Sequence, residues 1–85
     1  MRLVFDRGAF ADLRYWIETD RRKATKIVDL IENILASPFA GLGKPEPLKF
    51  ELAGCWSRRI DQEHRLIYKV ERNAVVVLAC RYHYR

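Results

Sequence analysis

WSRRIDQEHRLIYKVERNAVVVLACRYH, residues 56–83, decides the fold. Within it the runs 56–60, 65–70 and 75–83 are short, rich in β-branched and aromatic residues, and separated by polar breaks. Runs of that length with such breaks read as three strands of an antiparallel meander. Alternation then assigns the faces. Trp56, Ile60, Leu66, Tyr68, Val70, Val76, Leu78, Cys80 and Tyr82 are even-numbered and mostly apolar, so they are expected to face a core. Residues of one parity share a face across a hairpin only if its loop has an odd number of residues. Three-residue connections at 62–64 and 72–74 satisfy this, with Asn73 suited to a left-handed turn position.

The opposite face then carries Ser57, Arg59, Asp61, Arg65, Lys69, Arg81 and His83. In that register Arg65 opposes Arg81, and His83 is its diagonal neighbour at roughly 7–8 Å between backbones. Like charges gathered on one sheet face cost stability, so the patch suggests an anionic ligand, a phosphate above all.

Upstream of the meander the rhythm is helical. Leu3, Val4 and Phe5 form a short first strand that ends at Asp6 and Gly8, where a helix cap is expected. A first helix from about Ala9 places Phe10, Leu13, Trp16 and Ile17 at helical spacing and stops near Thr19 and Asp20, where the next cap begins. The second helix has the clearest stripe, Ile27, Val28, Ile31, Ile34 and Leu35, and Ser37 before Pro38 ends it. Its other face, with Arg22, Lys23, Lys26, Asp29, Glu32 and Asn33, reads as solvated. Residues 38–47 hold all three prolines and two of the four glycines, a loop between a helical half and a strand-rich half. The expected class is α+β: an N-terminal strand and two helices packed on one face of a small antiparallel sheet, as one domain over residues 1–85.

With 85 residues, 49% of them apolar, the chain can bury one core but not two. Sixteen Lys and Arg against 11 Asp and Glu leave a net charge of +5, which favours an anionic partner without choosing among RNA, DNA, lipid and acidic protein. No apolar run suits a signal peptide or a membrane span, so a cytosolic protein is expected, with Cys55 and Cys80 as free thiols. Neither His64, in a turn, nor His83 has partners at metal-ligand spacing, and no metal or cofactor is expected. Trp16 and Trp56 read as core or interface aromatics.

The strings YWIETD (15–20), SPFAGLGKPEPLK (37–49), WSRRI (56–60), EHRLIY (63–68) and ACRYHY (79–84) closely resemble the YoeB branch of the RelE toxin superfamily, in order and over nearly the whole chain. The resemblance implies a ribosome-dependent messenger RNA endonuclease, silenced by a cognate antitoxin and forming a homodimer. It places the catalytic set on Glu46, Arg65 and His83, auxiliary phosphate binding on Lys49 and Arg59, and the penultimate aromatic on Tyr84. Arg81 joins the phosphate-binding set from the face assignment. Arg85, an added basic end, departs from the family pattern.

The residue types suit that chemistry. Cleaving RNA through its 2′-hydroxyl needs a base, cations for the crowded phosphorane and an acid for the departing 5′-oxygen. Glu46, Arg65 with Lys49, and His83 can fill these roles, although neighbouring arginines disfavour a protonated His83 while a bound phosphate favours it, so which group is acid and which base stays open. Pro45 and Pro47 should hold Glu46 on a stiff extended segment whose three-residue repeat aligns it with Lys49. Two rivals remain: a relative on the same fold that poisons DNA gyrase by binding, and a non-catalytic RNA-binding regulator. The first leaves Glu46, Arg65 and His83 without work; the second is all that the basic patch alone requires.

Overall fold

A computed structural model of the chain describes residues 1–82. Strand β1 (Arg2–Phe5) leads into α1 (Arg7–Thr19) and α2 (Arg21–Ala36), followed by β2 (Glu46–Pro47), a 3₁₀ turn (Phe50–Leu52), β3 (Cys55–Arg59), β4 (Arg65–Glu71) and β5 (Ala74–Ala79). The order across the sheet is β1-β5-β4-β3-β2. The α+β class is as expected, with one addition: β1 pairs parallel to β5, so the sheet is mixed rather than wholly antiparallel.

Both helix starts are capped as the sequence suggests. The Asp6 carboxylate accepts the Gly8 amide, and Asp20 ends α1 and caps α2 through the Arg22 amide. The buried stripes are rotated from those expected. In α2 Ile27, Leu30, Ile31 and Ile34 are buried while Val28 is exposed; in α1 Ala9 and Trp16 are buried while Phe10 and Ile17 are exposed. The helices meet Ile60, Leu66, Tyr68, Val75, Val77 and Cys80 in one main core, where each fully buried aliphatic side chain contributes about 1.5–3 kcal/mol.

The face assignment holds for β3 and β4 and fails for β5. Arg59 pairs with Arg65 and Trp56 with Tyr68, which leaves a five-residue connection at 60–64, odd as required. Glu71 pairs with Ala74, however, so the second connection has two residues and parity flips. Val75 and Val77 therefore enter the core, while Leu78 packs on the other face. Asn73 is not at positive φ. An irregularity then restores parity: Ile67 pairs with Ala79 and Tyr68 with Val77, so Leu78 is the extra residue of a bulge and Cys80 returns to the core. Strand β5 ends at Ala79, not at His83, and Tyr82 lies at φ 66°.

The outer face is not an open basic surface throughout. Leu48, Cys55 and Ile67 form a second small cluster with Leu52, Leu78 and Ala79, and Ser57 is buried beside it. Of the cations on this face, Arg59 near the 60–64 connection and Lys69 at the far end of β4 remain exposed, while Arg65 is largely buried.

Candidate active site

Residue Glu46 sits on β2, an edge strand where prolines are tolerated because the outer N–H side needs no ladder partner. It is exposed and pairs with Ser57. Ser57 pairs in turn with Ile67, two residues beyond Arg65, and Arg65 pairs with Arg59. Glu46, Arg59 and Arg65 thus share one sheet face, with Glu46 and Arg65 separated by two strand spacings, about 10 Å, plus two residues along the strand, about 7 Å. A phosphodiester and its ribose can span that gap.

The segment at 44–49 differs from expectation in one respect. It pairs as a strand of period two, Leu48 donating its amide to the Cys55 carbonyl at 2.9 Å, so the three-residue repeat does not operate. Leu48 shares the face of Glu46, and Lys49, in extended conformation, follows one step out of phase. Lys49 is exposed next to Phe50, itself 91% exposed and held at φ 57°.

Arg65 is only 9% exposed. Its Nη1 donates to the carbonyls of Asp61 at 2.7 Å, His64 at 3.1 Å and Gln62 at 3.3 Å, so this guanidinium also shapes the turn before it. Arg59 is exposed, and its amide donates to the Gly43 carbonyl at 2.7 Å, which ties the loop that carries Glu46 to β3. Arg81 is not opposite Arg65 on the open face. Its guanidinium carbon lies 3.4 Å from the ring centroid of Tyr15 on α1 and 4.5 Å from that of Tyr82, and its buried Nε has no partner among the described residues. His83 and Tyr84, with Arg85, lie outside the described residues. Among the described residues, no three or more His, Cys, Asp and Glu side chains group so as to hold a metal ion, and no helix is long and apolar enough to cross a membrane.

Two residues central to this end of the molecule escaped the sequence reading. Arg58 is fully buried and, among the described residues, has no anionic partner. Its Nη1 donates to Asn33 Oδ1 (2.5 Å) and the Leu42 carbonyl (2.9 Å), its Nη2 to the carbonyls of Ser37 (2.8 Å) and Ala40 (3.1 Å), and its Nε to Tyr68 Oη (3.1 Å). One guanidinium thereby closes the loop leading to Glu46. Burial raises the Tyr68 hydroxyl pKa, and the Arg58 contact offsets only part of that rise. The signal was available, because Arg58 has the parity of Trp56 and Ile60. The second residue is His64, 8% exposed, whose Nδ1 accepts the Tyr82 amide at 2.7 Å.

The connection bearing His64 is itself pinned. Asp61 Oδ1 accepts the amides of Glu63 (2.8 Å) and His64 (2.6 Å), and Lys23 Nζ bridges Asp61 (3.1 Å) and Asp20 (3.3 Å). Partial burial pushes the Asp61 carboxyl up, but the His64 amide, the Lys23 ammonium and the Glu63 amide outweigh it and leave the group below its ordinary value. The two carboxylates in turn raise Lys23, the Asp61 bond most of all.

Comparison with known proteins identifies the family and the fold. Residues 5–84 match the family described as the YoeB-like toxin of bacterial type II toxin-antitoxin systems. The chain is 50% identical to toxin YoeB of Escherichia coli (strain K12) over 84 residues, covering 99% of this chain and 100% of that one. Its fold superposes on the YoeB/ParE toxin from Agrobacterium tumefaciens with a TM-score of 0.96 at 50% identity, covering 99% and 100% of the two chains. YoeB of Staphylococcus aureus, 40% identical with 99% and 98% coverage, has been solved as a dimer, TM-score 0.92, and in a heterotetrameric YoeB-YefM toxin-antitoxin complex, TM-score 0.90. The chain belongs to the YoeB-like toxin family of bacterial type II toxin-antitoxin systems.

Proposed function

We propose that this toxin is a ribosome-dependent messenger RNA endoribonuclease that cuts without a metal, leaving a 2′,3′-cyclic phosphate and a 5′-hydroxyl. The observation that carries the reading is the shared sheet face, with the Glu46 carboxylate on the edge strand, Arg59 on the neighbouring strand and its register partner Arg65 one strand further. A carboxylate and a guanidinium pair at that separation can flank one phosphodiester, with Glu46 and His83 exchanging protons with the 2′-hydroxyl and the 5′-oxygen. Arg65 and Lys49 neutralise the phosphorane, Arg59 holds a neighbouring phosphate, and Tyr84 stacks on a base. Arg81, engaged with Tyr15, serves the packing of the chain end.

The ribosome supplies the remaining geometry by presenting the message bent into this face, a positioning effect of several kcal/mol. A cognate antitoxin neutralises the toxin, and the toxin pairs with itself; the dimer and the toxin-antitoxin heterotetramer of the Staphylococcus aureus relative support both readings. The test is message cleavage on translating ribosomes with analysis of the product ends. Glu46→Ala and His83→Gln should fold normally and cut little, and EDTA should not act on the chemical step while ribosomes stay intact. A 3′-hydroxyl with a 5′-phosphate overturns the mechanism, and gyrase inhibition without cleavage overturns the activity.

A further inference from the structure

We infer that His64 is a positioning residue for the site, acting as a neutral imidazole that fixes Tyr82 and through it the backbone entering His83. The inference rests on the ribonuclease reading above. Strand β5 ends at Ala79, so residues 80–82 lack a ladder to hold them, and a segment without ladder bonds moves unless it is tied otherwise. Both backbone polar groups of Tyr82 are tied by consecutive residues of one turn. The amide donates to His64 Nδ1 at 2.7 Å, and the carbonyl accepts from the Arg65 amide at 3.0 Å. Tyr82 is at φ 66°, a left-handed conformation that is strained for a residue with a side chain and needs such restraint to persist.

The imidazole is itself held. Trp16 packs edge-on against it with ring centroids 4.7 Å apart, and the same indole donates Nε1–H to the Cys80 carbonyl at 2.8 Å. The Asp61 bonds fix the turn from the other side, and Lys23 joins that turn to α2. One aromatic pair therefore grips the chain end at residues 80 and 82. Accepting an amide requires the lone pair to be on Nδ1, which puts the imidazole proton on Nε2, 3.6 Å from the Glu63 carboxylate. A doubly protonated ring cannot make the Tyr82 bond.

The chemistry dictates which replacement works. Asparagine places its Oδ1 near the position of Nδ1 and keeps an acceptor, whereas leucine keeps the bulk and loses it. In the full-length protein, ¹⁵N spectra of His64 should show an unprotonated Nδ1, and His64→Asn should retain the slow exchange of the Tyr82 amide. On programmed ribosomes His64→Asn should cut within a fewfold of the parent, and His64→Leu should lose about ten- to a hundredfold in kcat with little change in KM, the cost of about an ångström of misplacement. A protonated Nδ1 in the parent overturns the inference, as does a His64→Leu variant with parental Tyr82 exchange and cleavage, or a folded His64→Asn variant as impaired as His64→Leu. If the parent cuts no message, the ribonuclease reading falls, while the tautomer and the Tyr82 exchange still decide whether His64 holds the chain end.

Discussion

Arg59 and Arg65 are register partners across β3 and β4, two cations side by side on the face that carries Glu46. Their surroundings differ: Arg59 is exposed, while Arg65 donates to three turn carbonyls. Arg59→Ala should therefore weaken RNA binding and lower the salt slope by about 0.7, one phosphate on a single strand, with stability unchanged within about 0.5 kcal/mol. Arg65→Ala should lose binding and also destabilise by about 1–2 kcal/mol. Binding titrations at several salt concentrations with urea melts check both; an unchanged slope in Arg59→Ala removes that residue from the phosphate-binding set.

The five bonds of Arg58 join α2, the 37–42 loop, β3 and β4. Removing a buried donor leaves several acceptors without partners, so Arg58→Ala should destabilise by about 3 kcal/mol or more. Arg58→Lys should recover less than half, because an ammonium has three donors on a point and cannot reproduce the guanidinium fork. A lysine variant as stable as the parent in urea would show that charge alone, and not bond geometry, is what the site requires.

Asp61 connects pH to stability at this end of the sheet. Its folded pKa lies below the unfolded value near 3.9, so its stabilisation is fully present above that value and disappears as pH falls through the folded pKa. Asp61→Asn should cost about 1 kcal/mol at neutral pH, a modest figure for a carboxylate about a third exposed, and the deficit should close as pH falls through the lowered folded pKa and the parent's carboxyl protonates. Unfolding curves of the two proteins across pH test this; a deficit that persists unchanged at low pH means the ionised carboxylate is not its source.

Cys80 is buried, donates its thiol to the Ala9 carbonyl at 3.4 Å and faces the field of Asp12, whose Oδ2 accepts the Cys80 amide. Burial first, and Asp12 second, push its pKa up to about 12. The thiolate is the nucleophile, so iodoacetamide at pH 8 should leave Cys80 unmodified in the native protein and label it after denaturation. Peptide mapping reads the outcome, and rapid native labelling would mean that this part of the core opens readily.

Much is legible in the sequence alone. Period two across 55–70, period 3.6 across 7–36 and the proline-rich break between them are local properties, and they named the elements, the helix caps at Asp6 and Asp20, and the face shared by Arg59 and Arg65. The family strings pointed to Glu46, Arg65 and His83. What local rules could not count was the loop: a two-residue turn where three were expected turned Val75 and Val77 inward, and the bulge at Leu78 turned the chain back.

Residue-by-residue patterning thus determined the class, the helices and the chemistry available to this protein, because spacing and side-chain type act within a few residues of each other. Tertiary structure decided the rest: the parallel docking of β1, the hydrogen-bond partners of Arg58, the burial of His64, the stacking of Arg81 on Tyr15, and the anchoring of Tyr82. Each depends on partners between 10 and 72 positions away, such as Arg58 against Tyr68 or Arg2 against Ala74, and no periodicity along the chain records which distant group will meet a given hydrogen-bond donor or ring.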